Sequence, residues 1–165
     1  CVTGTLGDAA LALRQILGAA TVDTDDSLLQ RLNRPQPRLQ AGKALRGIAH
    51  AAIDLSDGLA GDLSHILHAS GVGAEIEAQR LPASSAFAKT VTDESERLAL
   101  QVSGGDDYEL CFTVPPEKMA DIAMLIAQGK LNATVIGEII PGNQVVCELE
   151  GEPFVLTKTG YQHFE

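Results

Sequence analysis

Ala51-Ala52-Ile53-Asp54-Leu55-Ser56-Asp57-Gly58-Leu59 passes from a short apolar run, through two carboxylates, into a helical repeat. Leu59, Leu63, Ile66 and Leu67 follow the i, i+4, i+7, i+8 spacing that lays one apolar stripe against a core. The stretch therefore predicts a buried strand, a tight turn and a helix that starts at Ser56. A serine hydroxyl accepts one of the backbone N–H groups left over at a helix start. Asp57 in the first turn suits the positive end of the helix dipole. Strand end and first turn would then bring Asp54 and Asp57 together at one rim of a sheet. Two carboxylates so placed repel unless a cation lies between them, and Mg²⁺ shared with a phosphate fits that role. Ser-Asp-Gly is also ordinary turn chemistry, so this stretch alone leaves both readings open.

Upstream, residues 1–5 read as a strand, and Gly4-Thr5-Leu6-Gly7-Asp8 as a glycine-bearing turn into a helix with Leu13, Ile16 and Leu17 on its apolar face. Thr24 or Asp25 is the expected cap of a second helix carrying Leu28, Leu29 and Leu32, which Pro35 and Pro37 stop. Asn33-Arg34-Pro35-Gln36-Pro37-Arg38 is the most basic short stretch. It reads as a solvated connector in which Arg34 or Arg38 is the candidate to meet an anion. Residues 39–50 pattern as a helix with Ala41, Ala44, Leu45, Ile48 and Ala49 on one face, although Gly42 and Gly47 weaken it.

Downstream, Gly71-Val72-Gly73 ends the central helix and residues 74–78 alternate as a half-exposed strand. A loop at residues 81–85 leads into a short helix, and residues 93–100 into another. His65 and His68 stand one helical turn apart with no third soft ligand nearby, the pattern of surface or packing histidines.

The second informative stretch is Val102-Ser103-Gly104-Gly105-Asp106-Asp107-Tyr108-Glu109-Leu110. Paired glycines let backbone approach closely or take positive φ. Alternation along an extended chain puts Asp107 and Glu109 on one face and Tyr108 on the other. A hairpin or bulge with solvated acids is the plain alternative. Then come a strand closed by Pro115-Pro116, a helix with Met119, Ile122, Ala123 and Ile126 as its buried stripe, and strands at residues 133–140, 145–149 and 153–156. Helices alternating with strands early, and paired strands late, predict a layered α/β or α+β domain.

At 165 residues, 45% hydrophobic and 21% charged, the chain suits one domain with a sizeable core. A net charge of −10, from 22 acidic and 12 basic residues, argues against a nucleic-acid partner. The same charge means that phosphate chemistry needs cations from a divalent metal or from protein outside this chain. Cys1, rather than Met, opens the sequence, as expected for a segment cut from a longer protein. There is no basic-then-apolar leader and no run near membrane-spanning length. Cys1, Cys111 and Cys147, odd in number and set in apolar runs, read as free thiols in a reducing cytoplasm.

Taken together, Ala52-Ile53-Asp54-Leu55-Ser56-Asp57-Gly58-Leu59, Ser103-Gly104-Gly105-Asp106-Asp107-Tyr108-Glu109-Leu110 and Gly160-Tyr161-Gln162-His163-Phe164 resemble the thiamine-monophosphate kinase family. Val2-Thr3-Gly4-Thr5-Leu6-Gly7-Asp8 and Arg34-Pro35-Gln36-Pro37-Arg38 are similar to it as well, in the same order along nearly the whole chain. The resemblance implies the C-terminal half of a two-domain enzyme of the aminoimidazole ribonucleotide synthetase group, a layered α/β/α sandwich with a mixed sheet. An N-terminal half would form the dimer barrel and supply much of the ATP and Mg²⁺ site. The implied reaction moves the ATP γ-phosphoryl group onto thiamine monophosphate, and the isolated half would be inactive. By position, Asp54 and Asp57 would ligate Mg²⁺ and Ser56 would contact the ATP phosphates. Asp106, in a slot this family fills with Glu or Asp, and Tyr161 would bind thiamine monophosphate, with Tyr161 stacking on a ring. The full-length protein would be a cytoplasmic homodimer with no nucleic-acid or membrane partner. A selenophosphate synthetase, a hydrogenase-maturation ATPase and a non-catalytic binding module are the alternatives. The terminal Tyr-Gln-His-Phe run and the Asp-Tyr-Glu-Leu run speak against the two sister enzymes.

Overall fold

The apolar stripe Leu59, Leu63 and Leu67 is buried, each side chain under 5% exposed, and the layers assemble around it. The computed structural model describes residues 1–18 and 25–154. In chain order these form β1 (Val2–Thr3), α1 (Asp8–Ile16), α2 (Asp26–Asn33), α3 (Leu39–Ala44), β2 (Ala51–Asp54), α4 (Leu59–Ser70) and β3 (Gly73–Glu77). There follow α5 (Ser85–Thr90), α6 (Glu94–Ser103), β4 (Leu110–Thr113), α7 (Met119–Ala127), β5 (Ala133–Thr134), β6 (Gly137–Ile140), β7 (Val145–Leu149) and β8 (Glu152–Phe154).

The strands make two four-stranded sheets, ordered β2-β4-β1-β5 and β6-β3-β7-β8. The first is antiparallel throughout. The second is mixed, because β3 pairs parallel with β7 and antiparallel with β6. Helix α4 joins them: its stripe shares one core with Val2 and Cys111 of the first sheet, Ala74, Ile76 and Cys147 of the second, and Leu98 and Val102 of α6. Burying one leucine of that stripe contributes about 1.5–3 kcal/mol. A second core joins Leu11 and Ala12 of α1, Leu28 of α2, Phe87 of α5 and Leu100 of α6. A third gathers Leu45, Phe112, Ile122 and Leu131. The expected layered α/β class with a mixed sheet is the observed one.

Several local expectations change. β2 lies at the edge of its sheet with alternate residues exposed, so it is half-open rather than buried. Helix α4 starts at Leu59, not Ser56; its N-cap is Gly58 at φ 109°, with no side-chain cap. In α1 the buried residues include Ala9, Leu11 and Ala12, while Leu13, Ile16 and Leu17 are exposed. The helix expected over residues 39–50 stops at Ala44, although Leu45 is buried with Ala41, Ile48 and Ala49 packed around it. In α7 only Ile122 of the proposed stripe is fully buried. The strand expected over residues 133–140 divides into β5 and β6, which belong to different sheets. Of the alternatives for capping α2, Asp25 accepts from the Ser27 N–H at 2.8 Å, and Thr24 lies outside the described residues.

Candidate functional site

Two acidic loops, about a third of the chain apart in sequence, fold into one unit. β2 and β4 pair with Asp54 opposite Leu110. Beyond that pair the ladder continues irregularly: Leu55 N–H donates to Glu109 O, Tyr108 N–H to Leu55 O and Asp106 N–H to Ser56 O, at 2.8, 2.8 and 2.9 Å. Gly105 sits so close beneath Ser56 that a Cβ there would lie 2.5 Å from its carbonyl oxygen. Only glycine lets the two backbones approach this far. Asp54, Ser56, Asp57 and Asp106 are thereby drawn to one end of the first sheet. Tyr161 lies outside the described residues.

The turn at Ser56 and Asp57 is held from an unexpected place. Both backbone N–H groups donate to Asp62 Oδ2, at 2.9 and 3.0 Å, so the acidic residue in the first turn of α4 is Asp62. Burial raises the Asp62 carboxyl above its ordinary range; the two N–H bonds oppose that, and the negative charges of Asp57 and Asp54 add to it. Both predicted metal carboxylates therefore act on Asp62 through their charge. Sequence reasoning missed this residue, although an acid in the first turn of an apolar helix was visible.

Behind the loops, Asp107 and Glu109 share one buried face, and Tyr108 lines a cavity on the other side. Asp107 accepts the Gly7 N–H with both oxygens, at 3.1 and 3.0 Å. Burial pushes its carboxyl up to about 8; the Gly7 N–H lowers it, and the Asp8 charge raises it further. Glu109 is fully buried and accepts from Thr3 Oγ1 (2.6 Å), Arg31 Nη2 (2.7 Å), and Arg38 Nε and Nη2 (2.7 and 2.5 Å). Burial alone would raise it, but Arg38, Thr3 and Arg31 outweigh that and hold it below the usual carboxylate range. Gly4, at φ 58°, leaves no space for a Cβ beside the Glu109 carboxylate. Arg38 is thus no mere connector residue. Asp8 is buried too, taking hydrogen bonds from Thr5 and Ser84.

Two cavities open beside this network. One, of about 380 Å³, is lined by Gly4, Asp8, Arg31, Arg34, Arg38 and Glu109 among others. The other, of about 540 Å³, takes in Arg38, Lys43, Arg46, Asp54, Tyr108 and Leu110. Five of the chain's twelve basic residues fall between Arg31 and Arg46. That clustering was the signal for a cationic wall inside an acidic chain. His65 and His68 are exposed, in keeping with surface histidines.

The AIR synthase related protein, C-terminal domain family model matches residues 2–150. The chain belongs to this family. Within it, the domain is similar to a thiamine-monophosphate kinase of Haemophilus influenzae, 44% identical over 99% of this chain and 52% of that protein. A crystal structure of thiamine-monophosphate kinase from Stenotrophomonas maltophilia K279a superposes with TM-score 0.81 at 42% identity, covering 92% of this chain and 49% of the other. A structure described as AaThiL complexed with AMPPCP and TMP superposes with TM-score 0.77 at 30% identity, covering 99% and 50%. The chain spans about half the length of the relatives it matches.

An AIR synthase-related domain with this site offers hard oxygen donors at Asp54 and Asp57. Among the described residues no group of three or more His, Cys, Asp or Glu side chains is gathered to hold a metal ion alone. Asp54 and Asp57 are the residues that would hold a Mg²⁺ ion, which would need further oxygen ligands from phosphate, water or other protein.

Proposed function

We propose that this chain is the C-terminal half of a thiamine-monophosphate kinase, which transfers the ATP γ-phosphoryl group to thiamine monophosphate to give thiamine diphosphate. The observation that carries the reading is the union of the two acidic loops, in a chain similar along nearly its whole length to thiamine-monophosphate kinases. Asp54 and Asp57 hold Mg²⁺, Ser56 contacts the ATP phosphates, and Asp106 and Tyr161 bind thiamine monophosphate. When bound, Mg²⁺ neutralises charge on the phosphates between which the transfer occurs. The chain's own residues then orient and bind. Asp62 keeps the Ser56–Asp57 turn in place, and the Gly105 contact fixes the acceptor loop against the nucleotide loop. The incoming phosphate is already anionic, so no side chain need take its proton.

An N-terminal domain supplies the rest of the nucleotide site and the homodimer contact, and the C-terminal half alone turns over no substrate. The thiols Cys1, Cys111 and Cys147 are unpaired, which supports a reducing cytoplasm. No described helix is long and apolar enough to cross a membrane.

Calorimetric titration with thiamine monophosphate and Mg-ATP, on the two-domain protein and on this chain, tests the assignment. Turnover heat from the first and none from the second is expected. Binding without turnover by the two-domain protein, or phosphorylation of selenide instead, refutes it.

A further inference from the structure

The cavity of about 540 Å³ beside Asp54 has no role in the site assigned so far. Its floor is apolar, from Leu110 and neighbouring proline and leucine side chains, and Tyr108 forms part of its wall. Three cations, Arg38, Lys43 and Arg46, line it together with Asp54. Arg38 is pinned, because Nε and Nη2 both donate to buried Glu109, which fixes the plane of the guanidinium. Lys43 and Arg46 are exposed and form no ion pair among the described residues. Tyr108 has φ 50°, a conformation that a bulky residue keeps only where its surroundings impose it. Here the Tyr108 N–H bond to Leu55 O imposes it.

A cavity with an apolar floor, one fixed cation and two exposed ones suits a ring-bearing phosphate monoester. A phosphate seated there stands next to Asp54, where the bound metal would share it. We infer that Lys43 and Arg46 are specificity-determining residues that bind the phosphate of the acceptor, with Tyr108 against its organic part and Glu109 as the positioning residue for Arg38. Naming the acceptor rests on the kinase reading; the phosphate-monoester chemistry of the cavity does not.

The test uses the two-domain protein and its Lys43→Ala/Arg46→Ala variant, whose exposed positions leave the fold intact by circular dichroism. Steady-state kinetics vary thiamine monophosphate at saturating Mg-ATP, then the reverse. The expected result is a KM for thiamine monophosphate raised at least tenfold, with KM for ATP within twofold. An unchanged acceptor KM overturns the inference, and so does a rise confined to ATP, which would make the cavity a nucleotide subsite. If the unmodified protein shows no turnover of thiamine monophosphate, the kinase reading has failed and phenyl phosphate becomes the probe. Calorimetric binding of phenyl phosphate that the double variant weakens tenfold then sustains the cavity assignment, and equal or absent binding ends it.

Discussion

Asp107 and Glu109 stand two residues apart on one buried face, yet the protein treats them oppositely. Among the described residues Asp107 accepts a hydrogen bond only from the Gly7 backbone N–H, and burial drives its carboxyl up to about 8. Glu109 meets two guanidinium groups and a hydroxyl, which hold it below the usual range despite full burial. Burial is common to both, so the supply of partner charge decides the outcome. The consequence reaches the outer face. The ionised carboxylate is the one that immobilises Arg38 at the wall of the Asp54 cavity, and the neutralised one closes the joint between the acidic loop and the turn before α1.

Removing Glu109 should break this pairing most severely. Glu109→Ala leaves Arg38 without its anion and Arg31 with only Asp8, 3.7 Å away, and breaking a buried pair costs roughly 3–5 kcal/mol. The quarter-exposed arginines place the expected urea-unfolding loss at the lower end. A loss below 1 kcal/mol would mean that water replaces the carboxylate. Gly105→Ala drives a methyl into Ser56 O and should cost about 1–3 kcal/mol, with acceptor and metal affinity falling together.

The next test concerns pH. Folded Asp107 keeps a proton up to about 8, whereas the unfolded chain releases it near 3.8. The folded state therefore binds more protons between those values, and this group's contribution to stability falls as pH rises through that window. The slope is at most about 1.4 kcal/mol per pH unit. Asp107→Asn should flatten it, as read from urea midpoints at pH 5 to 8. Glu109 acts with opposite sign: its stabilisation is present above the ordinary carboxylate range and is lost as pH falls through its lowered value. A profile that rises between pH 5 and 8 and is unaffected by Asp107→Asn would contradict the contrast. The smallest effect belongs to His65→Ala and His68→Ala, on the exposed side of α4, within about 0.5 kcal/mol.

Local periodicity made much of this legible. The stripe of α4, the Asp25 cap of α2, and the division of Asp107 and Glu109 from Tyr108 all follow from chemistry within a few residues. What the sequence hid was non-local. Ser56 loses its place as a cap because the chain turns at Gly58, φ 109°, and the helix begins only at Leu59, while Asp62 in its first turn accepts the Ser56 and Asp57 N–H groups. Arg31 and Arg38 reach Glu109 across 78 and 71 positions, a distance over which spacing carries no signal. The grouping of Asp54, Ser56, Asp57 and Asp106 was expected by resemblance, and the Gly105–Ser56 approach supplies its physical cause.

On the proposed reading, the two interlocked loops serve one phosphoryl transfer. ³¹P NMR of the two-domain protein with thiamine monophosphate, ATP and Mg²⁺ reads it directly. Coupled diphosphate resonances of thiamine diphosphate should grow as ATP becomes ADP, and Asp54→Asn should abolish them while the protein stays folded. Full product formation by Asp54→Asn, or ATP hydrolysed to free phosphate with the thiamine resonance unchanged, would contradict it.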